Sequence, residues 1–140
     1  MFNSMVYFKG KVLKVVKKQL RKSFSVKVIL KEEVTGQASG QYNHSFNCRI
    51  TSVLGRKVHA NFSFDEISDE KSYVVMYFCE MLKVFLESNG YYISEVVNKN
   101  GECVLTVDRS ALEDVKVEEP ATDKDLDRLF KAVKKLKRGS

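Results

Sequence analysis

An apolar run over residues 68–89 leaves this chain few ways to fold. Valine, methionine, tyrosine, phenylalanine and cysteine fill positions 73–79, and Met81, Leu82, Val84, Phe85 and Leu86 continue the run. At helical spacing, Val74, Phe78, Met81, Leu82 and Phe85 make one stripe, and Val75, Cys79, Leu82 and Leu86 a second. Asp69, Glu80, Lys83 and Glu87 leave only a narrow polar strip. The pattern predicts one long helix over 68–89, buried nearly all round, because such a helix needs cover on more than one side. Ser68 is placed to cap it, with Asp69 and Glu70 at the positive end of its dipole. Gly90 supplies the left-handed residue that stops it. Everything else must then wrap this helix.

The elements around it read as follows. Over residues 5–22, Val12, Leu13, Val16 and Leu20 recur at helical spacing, with Lys11, Lys14, Lys17, Lys18 and Arg21 covering the rest. Residues 24–34 alternate as a half-buried strand, with Phe24, Val26, Val28 and Leu30 inward and Ser25, Lys27 and Lys31 outward. Residues 42–53 alternate again, Gly55-Arg56 turns the chain, and residues 57–64 return. Asn100-Gly101, between apolar runs at 92–98 and 102–108, suits a type I′ hairpin that sets Val97 opposite Val104 and Val96 opposite Leu105. Beyond an acidic stretch with the only proline, Pro120, the side chains of Leu126, Leu129, Phe130, Val133 and Leu136 form the stripe of a last helix. The expected fold is α+β, an antiparallel sheet of about five strands packed on a central buried helix, in the order α-β-β-β-α-β-β-α. Residues 1–110 would be the single domain, 111–121 an acidic connector, and 122–140 an amphipathic basic helix.

Charge is where function enters. The net +6 hides a polarity: residues 1–64 carry 12 Lys/Arg against only Glu32 and Glu33, residues 65–120 carry 5 against 13 acids, and residues 121–140 carry 7 against 3. Such asymmetry suggests a polyanionic partner, DNA or RNA, unless these cations simply form a solvated surface. Between Val34 and Phe64 there is no carboxylate, so the outward side of that hairpin would be amide, hydroxyl, imidazole and cation. The candidate nucleic-acid-binding residues are Lys11, Lys14, Lys17, Lys18, Arg21, Lys22, Lys27, Arg49, Lys57 and Asn61. Lysines would hold phosphates, while Arg49 and Asn61 could reach base edges. The basic helix at 122–138 is a possible site for a protein partner.

Other chemistry finds little support. Cys48, Cys79 and Cys103 are odd in number and form no Cys-x-x-Cys, so buried free thiols and a reducing, cytoplasmic compartment are expected. His44, Cys48 and His59 match no zinc spacing, so no metal or other cofactor is expected. Glu32-Glu33 reads as solvated charge rather than an acid–base couple. No catalytic residues and no enzyme class emerge. No apolar run spans a membrane, and no secretory leader is expected at the N-terminus.

Two resemblances bear on the partner. The order of a buried helix, Asn89-Gly90, a strand, Lys99-Asn100-Gly101, a strand and Asp108-Arg109-Ser110 resembles the C-terminal double-wing DNA-binding domain of phage middle-promoter activators of the MotA type, over about residues 70–113. That resemblance implies DNA binding. The α-β-β-β-α-β-β-α order is also similar to that of type III secretion chaperones, which implies a dimeric adaptor holding an extended protein client. Those chaperones are typically acidic, whereas this chain is basic. Were residues 5–18 a strand, an OB-like barrel binding single strands would be the third possibility.

Overall fold

Period-two burial, clearest along residues 25–32 and 44–50, builds the sheet on which everything else rests. In the computed structural model, which describes residues 2–109, the elements are α1 (Phe2–Gln19), β1 (Ser25–Gly36), β2 (Tyr42–Ser52), β3 (Val58–Ser68), α2 (Val75–Ser88), β4 (Tyr91–Lys99) and β5 (Glu102–Arg109). The strands form one antiparallel sheet in the order β3-β2-β1-β5-β4. Its centre is β1, where Val28 pairs with Ile50 on one side and Leu105 on the other. Val26, Val28, Leu30, Phe46, Cys48, Ile50, Cys103, Leu105 and Val107 all point to the same, buried side.

Both helices lie against that side. Through Met5, Phe8, Val12, Val16 and Leu20, spaced three and four apart, α1 presents one apolar stripe to the sheet. Val75, Phe78, Cys79, Leu82 and Leu86 do the same for α2. They meet in an aromatic cluster: Phe78 lies 6.0 Å from Phe8, 4.6 Å from Phe46 and 5.8 Å from Phe64, ring centre to ring centre. Buried aromatic rings of this kind contribute about 1.5–3 kcal/mol each by leaving water. The opposite side of the sheet has no helix over it among the described residues.

The α+β class and the order α-β-β-β-α-β-β therefore hold, and α1 with an open sheet rules out the OB-like barrel. The expected connector at 111–121 and last helix at 122–140 lie outside the described residues. Some expectations about the helices and β1 need correction. The second helix starts at Val75 rather than Ser68, because β3 runs on through Ile67 to Ser68, whose hydroxyl meets His44 instead of capping a helix. Nor is it central and buried all round. It rests on one side of the sheet, and Met76, Tyr77 and Val84 are exposed. Phe24, expected inward, precedes β1 and is exposed, its ring under the Arg109 guanidinium.

Gly90 does end α2, with φ of 92° just after the C-cap Asn89. The β4–β5 register is also as expected, Val97 opposite Val104 and Val96 opposite Leu105. Its turn is not type I′, however, because Gly101 has φ of 73° while Asn100 stays at negative φ. Gly101 is fixed there by crowding as well as by backbone. Its carbonyl accepts the Glu32 N–H at 2.8 Å, and a Cβ at this position would sit 3.0 Å from the Tyr73 ring.

Candidate nucleic-acid interface

A helix that buries one stripe must show the rest to solvent; the first half of α1 shows Asn3, Val6, Tyr7 and Gly10, and the second half shows lysine. Lys11, Lys14, Lys17 and Lys18 are all exposed. Arg21 and Lys22 extend the same exposed surface through the turn after Gln19, where Lys22 and Ser23 donate to the Gln19 carbonyl at 3.0 Å. Lys17 and Lys18 occupy the last turn, where the helix dipole favours cations. Among the described residues none of these six forms an ion pair with a carboxylate. Lys11 leans toward β3, its ammonium 5.1 Å from the Phe62 ring and 5.5 Å from Tyr7. Lys9, with no place among the sequence candidates, stands over Phe85 of α2 at 5.1 Å. At a rise of 1.5 Å per residue, α1 spaces Lys11 to Lys18 along roughly 10 Å of its axis.

The other candidates are elsewhere. Lys27 and Arg49 alternate with buried neighbours, so they point away from the helices. Asn61 pairs with Arg49 across β2–β3, and its side-chain oxygen accepts from Asn47 at 2.9 Å. Lys57 is exposed in the β2–β3 connection. The structure thus gathers six of the ten candidates at α1 and puts Lys27, Arg49 and Asn61 on the opposite side of the two layers.

That opposite side mixes signs. Lys31 lies 3.7 Å from Glu102, a contact the strand order β1-β5 creates. An open depression of about 410 Å³ is lined by Lys31, Glu33, Ser45, Asn47, Ser63 and Asp65, two of them carboxylates. One row across the sheet reads Asn61, Arg49, Ile29, Val104, Val97. The hairpin is acid-free over 34–64, but its neighbours in the sheet are not. His59 is held below its ordinary titration range, by partial burial first and by the Lys57 charge second, so at neutral pH it adds no cation.

Sequence reasoning missed the most structured polar site. Glu32, expected to be solvated, is buried, because it shares the inward parity of Val28 and Leu30. Its Oε1 accepts the Val74 and Val75 N–H groups, both at 2.8 Å, so a carboxylate on β1 caps the N-terminus of α2. Its Oε2 faces His44 Nδ1 at 2.6 Å, and His44 is fully buried. His44 Nε2 lies 2.7 Å from the Glu70 carbonyl oxygen and 3.0 Å from Ser68 Oγ. Ser68, His44 and Glu32 thus follow the outline of a hydrolytic triad, with His44 fully buried and Glu32 also holding the start of α2. Nε2 is shared between the Glu70 carbonyl oxygen and Ser68 Oγ, and both Glu32 oxygens are engaged, by His44 and by the Val74 and Val75 N–H groups. Ser68 Oγ in turn accepts the Glu70 N–H at 3.1 Å. The network ties β1, β2 and the 69–74 connection to α2. The only advance signal for it was the alternation that put both residues on the buried side.

All three thiols are buried and free. Burial pushes the Cys48 thiol up to about 12, and a hydrogen bond with Cys103, reinforced by burial, raises Cys79 as well. Both stay protonated at neutral pH and are poor nucleophiles or metal ligands. No cluster of three or more His, Cys, Asp or Glu suited to a metal occurs among the described residues, and none of their helices is long and apolar enough to cross a membrane. The chain matches no protein-family model, no curated protein and no solved structure.

Proposed function

We propose that this protein is a non-enzymatic nucleic-acid-binding module whose phosphate contacts come from the outward side of α1. One observation carries the reading: Lys11, Lys14, Lys17, Lys18, Arg21 and Lys22 are exposed on one surface with no carboxylate partner among the described residues. Uncompensated cations spaced along a rigid rod release counterions when phosphates replace them, which drives association. Duplex fits this surface better than single strand. Single-strand binders interleave stacking aromatics with cations, whereas α1 offers only Tyr7 beside Lys11. Lys27, Arg49, Lys57 and Asn61 would make at most secondary contacts, since Lys27, Arg49 and Asn61 face the other way and carboxylates share their surface.

Anisotropy of a labelled DNA duplex titrated across salt tests this. Binding should weaken linearly in log–log form. A variant with Lys14, Lys18 and Arg21 changed to glutamine should lower the slope by roughly 3 and the affinity on the order of a hundredfold near 0.1 M salt. Absence of binding at low salt, or an unchanged slope in the variant, would remove the proposal. A protein-binding adaptor is the second reading, favoured by the apolar side chains that α2 leaves exposed.

A further inference from the structure

We infer that the outward side of α2 docks a cationic amphipathic helix of a protein partner; this deepens the adaptor reading and is independent of nucleic-acid binding at α1. At 100° per residue, Val75, Cys79, Leu82 and Leu86 point to the sheet, while Phe78 and Phe85 turn toward α1, where Phe8 and Lys9 meet them. Tyr77 and Val84, two turns apart, then point directly away from the sheet at 50% and 60% exposure. Met76 is 57% exposed on the flank away from α1. These side chains form a strip that the described residues leave half uncovered and that would gain by being covered.

The charges beside the strip select what covers it. Glu80 and Glu87 are exposed on the flank of α2 away from the α1 cations, and Asp69 and Glu70, followed by one cation, Lys71, are exposed in the connection that leads into the helix. Lys83 is the sole cation of α2 and is half-buried. Carboxylates here repel phosphates, so a nucleic acid does not fit. A second copy fits poorly too. An antiparallel α2 pair that lays Met76 against Val84 centres on Glu80, which then meets its own equivalent. A helix with apolar residues at i, i+3, i+4 and i+7, flanked by lysine or arginine, meets Tyr77 and Val84 while pairing with Glu80 and Glu87.

The test uses the full chain and a labelled synthetic leucine–lysine peptide of about 18 residues patterned as one amphipathic helix. A scrambled peptide of the same composition is the control. The patterned peptide should bind, and the scrambled one should bind far more weakly. Val84→Glu should weaken binding by on the order of tenfold despite adding attractive charge, and Glu80→Gln with Glu87→Gln should weaken it also. Met76→Glu, at another exposed position, serves as the second variant should Val84→Glu disturb the circular dichroism spectrum. Equal binding of the scrambled peptide, or tighter binding by the glutamate variants, would reduce the effect to bulk charge and overturn the inference. Self-association in sedimentation that Val84→Glu abolishes would overturn it in favour of a second copy. None of these readouts involves DNA, so failure here leaves the α1 reading standing, and the reverse.

Discussion

Side by side on the same face of the sheet, α1 and α2 bury similar stripes yet meet solvent in opposite ways. Outward, the second half of α1 shows Lys11, Lys14, Lys17 and Lys18, after Val6 and Tyr7 in its first half, whereas α2 shows Met76, Tyr77 and Val84 beside Glu80 and Glu87. Their starts differ as well: the first N–H groups of α2 are held by Glu32, a carboxylate from the centre of the sheet. Charge in a sequence marks solvent unless partners wait inside, as His44 and the α2 N–H groups do for Glu32, because an unpaired buried ion costs several kcal/mol. Apolar content marks burial less reliably, since an exposed valine costs the fold little. Met76, Tyr77 and Val84 of α2 are therefore apolar surface that nothing among the described residues covers.

The sharpest way to break this comparison is to place one charge on each side of α2. Leu82→Lys should cost about 4 kcal/mol or more and approach unfolding, whereas Val84→Lys should stay within about 0.5 kcal/mol of the parent in urea denaturation. A large cost at Val84 would mean that α2 is enclosed after all. Next in size, Phe8→Ala and Phe78→Ala should each cost about 3–4 kcal/mol, and the double variant about 1 kcal/mol less than the sum, because the two rings share one cluster. Strict additivity would separate the helices energetically. Glu32→Ala should cost about 3 kcal/mol, with hydrogen exchange rising first at Val74 and Val75 while the middle of α1 stays protected. Equal loss in both helices would deny Glu32 its particular hold on α2.

The smallest effect belongs to Glu70. Hydrogen bonds from the Ser72 hydroxyl and N–H hold its carboxyl below the ordinary carboxylate value. A depressed folded value adds stability above the unfolded pKa and loses it as pH falls through the lowered one. This carboxylate is fully exposed, so the contribution is slight. Glu70→Gln should lower the urea midpoint a little at pH 7 and not at all at pH 2–3; a larger gap at acid pH would reverse the sign.

Legibility in the sequence followed the range of the interaction. Alternation gave the strands, three-four spacing gave α1, and Asn100-Gly101 gave the register of β4 against β5, because each depends on neighbours in the chain. What escaped depends on distant partners. Past Phe64, β3 continues through Asp65, Glu66 and Ile67 to Ser68, a run that looks like a helix start. Glu66 pairs with His44 across β2–β3 and accepts from Ser4 of α1, and Ser68 meets His44. The cap on α2 comes from a residue more than forty positions upstream, as the contact of Glu32 with Val74 and Val75 shows. For the candidate site, exposure of the α1 lysines was legible from the gaps in the apolar stripe. Their separation from Lys27 and Arg49 was not, since it depends on which side of the sheet the helices choose.

The most direct test of the α1 reading is lysine footprinting: acetylation of the full chain with and without a DNA duplex, read by mass spectrometry. Protection is expected at Lys11, Lys14, Lys17, Lys18 and Lys22, with Lys27 and Lys57 reacting as freely as in the protein alone. Protection at Lys27 and Lys57 with the α1 lysines unchanged, or no protection anywhere at low salt, would contradict it.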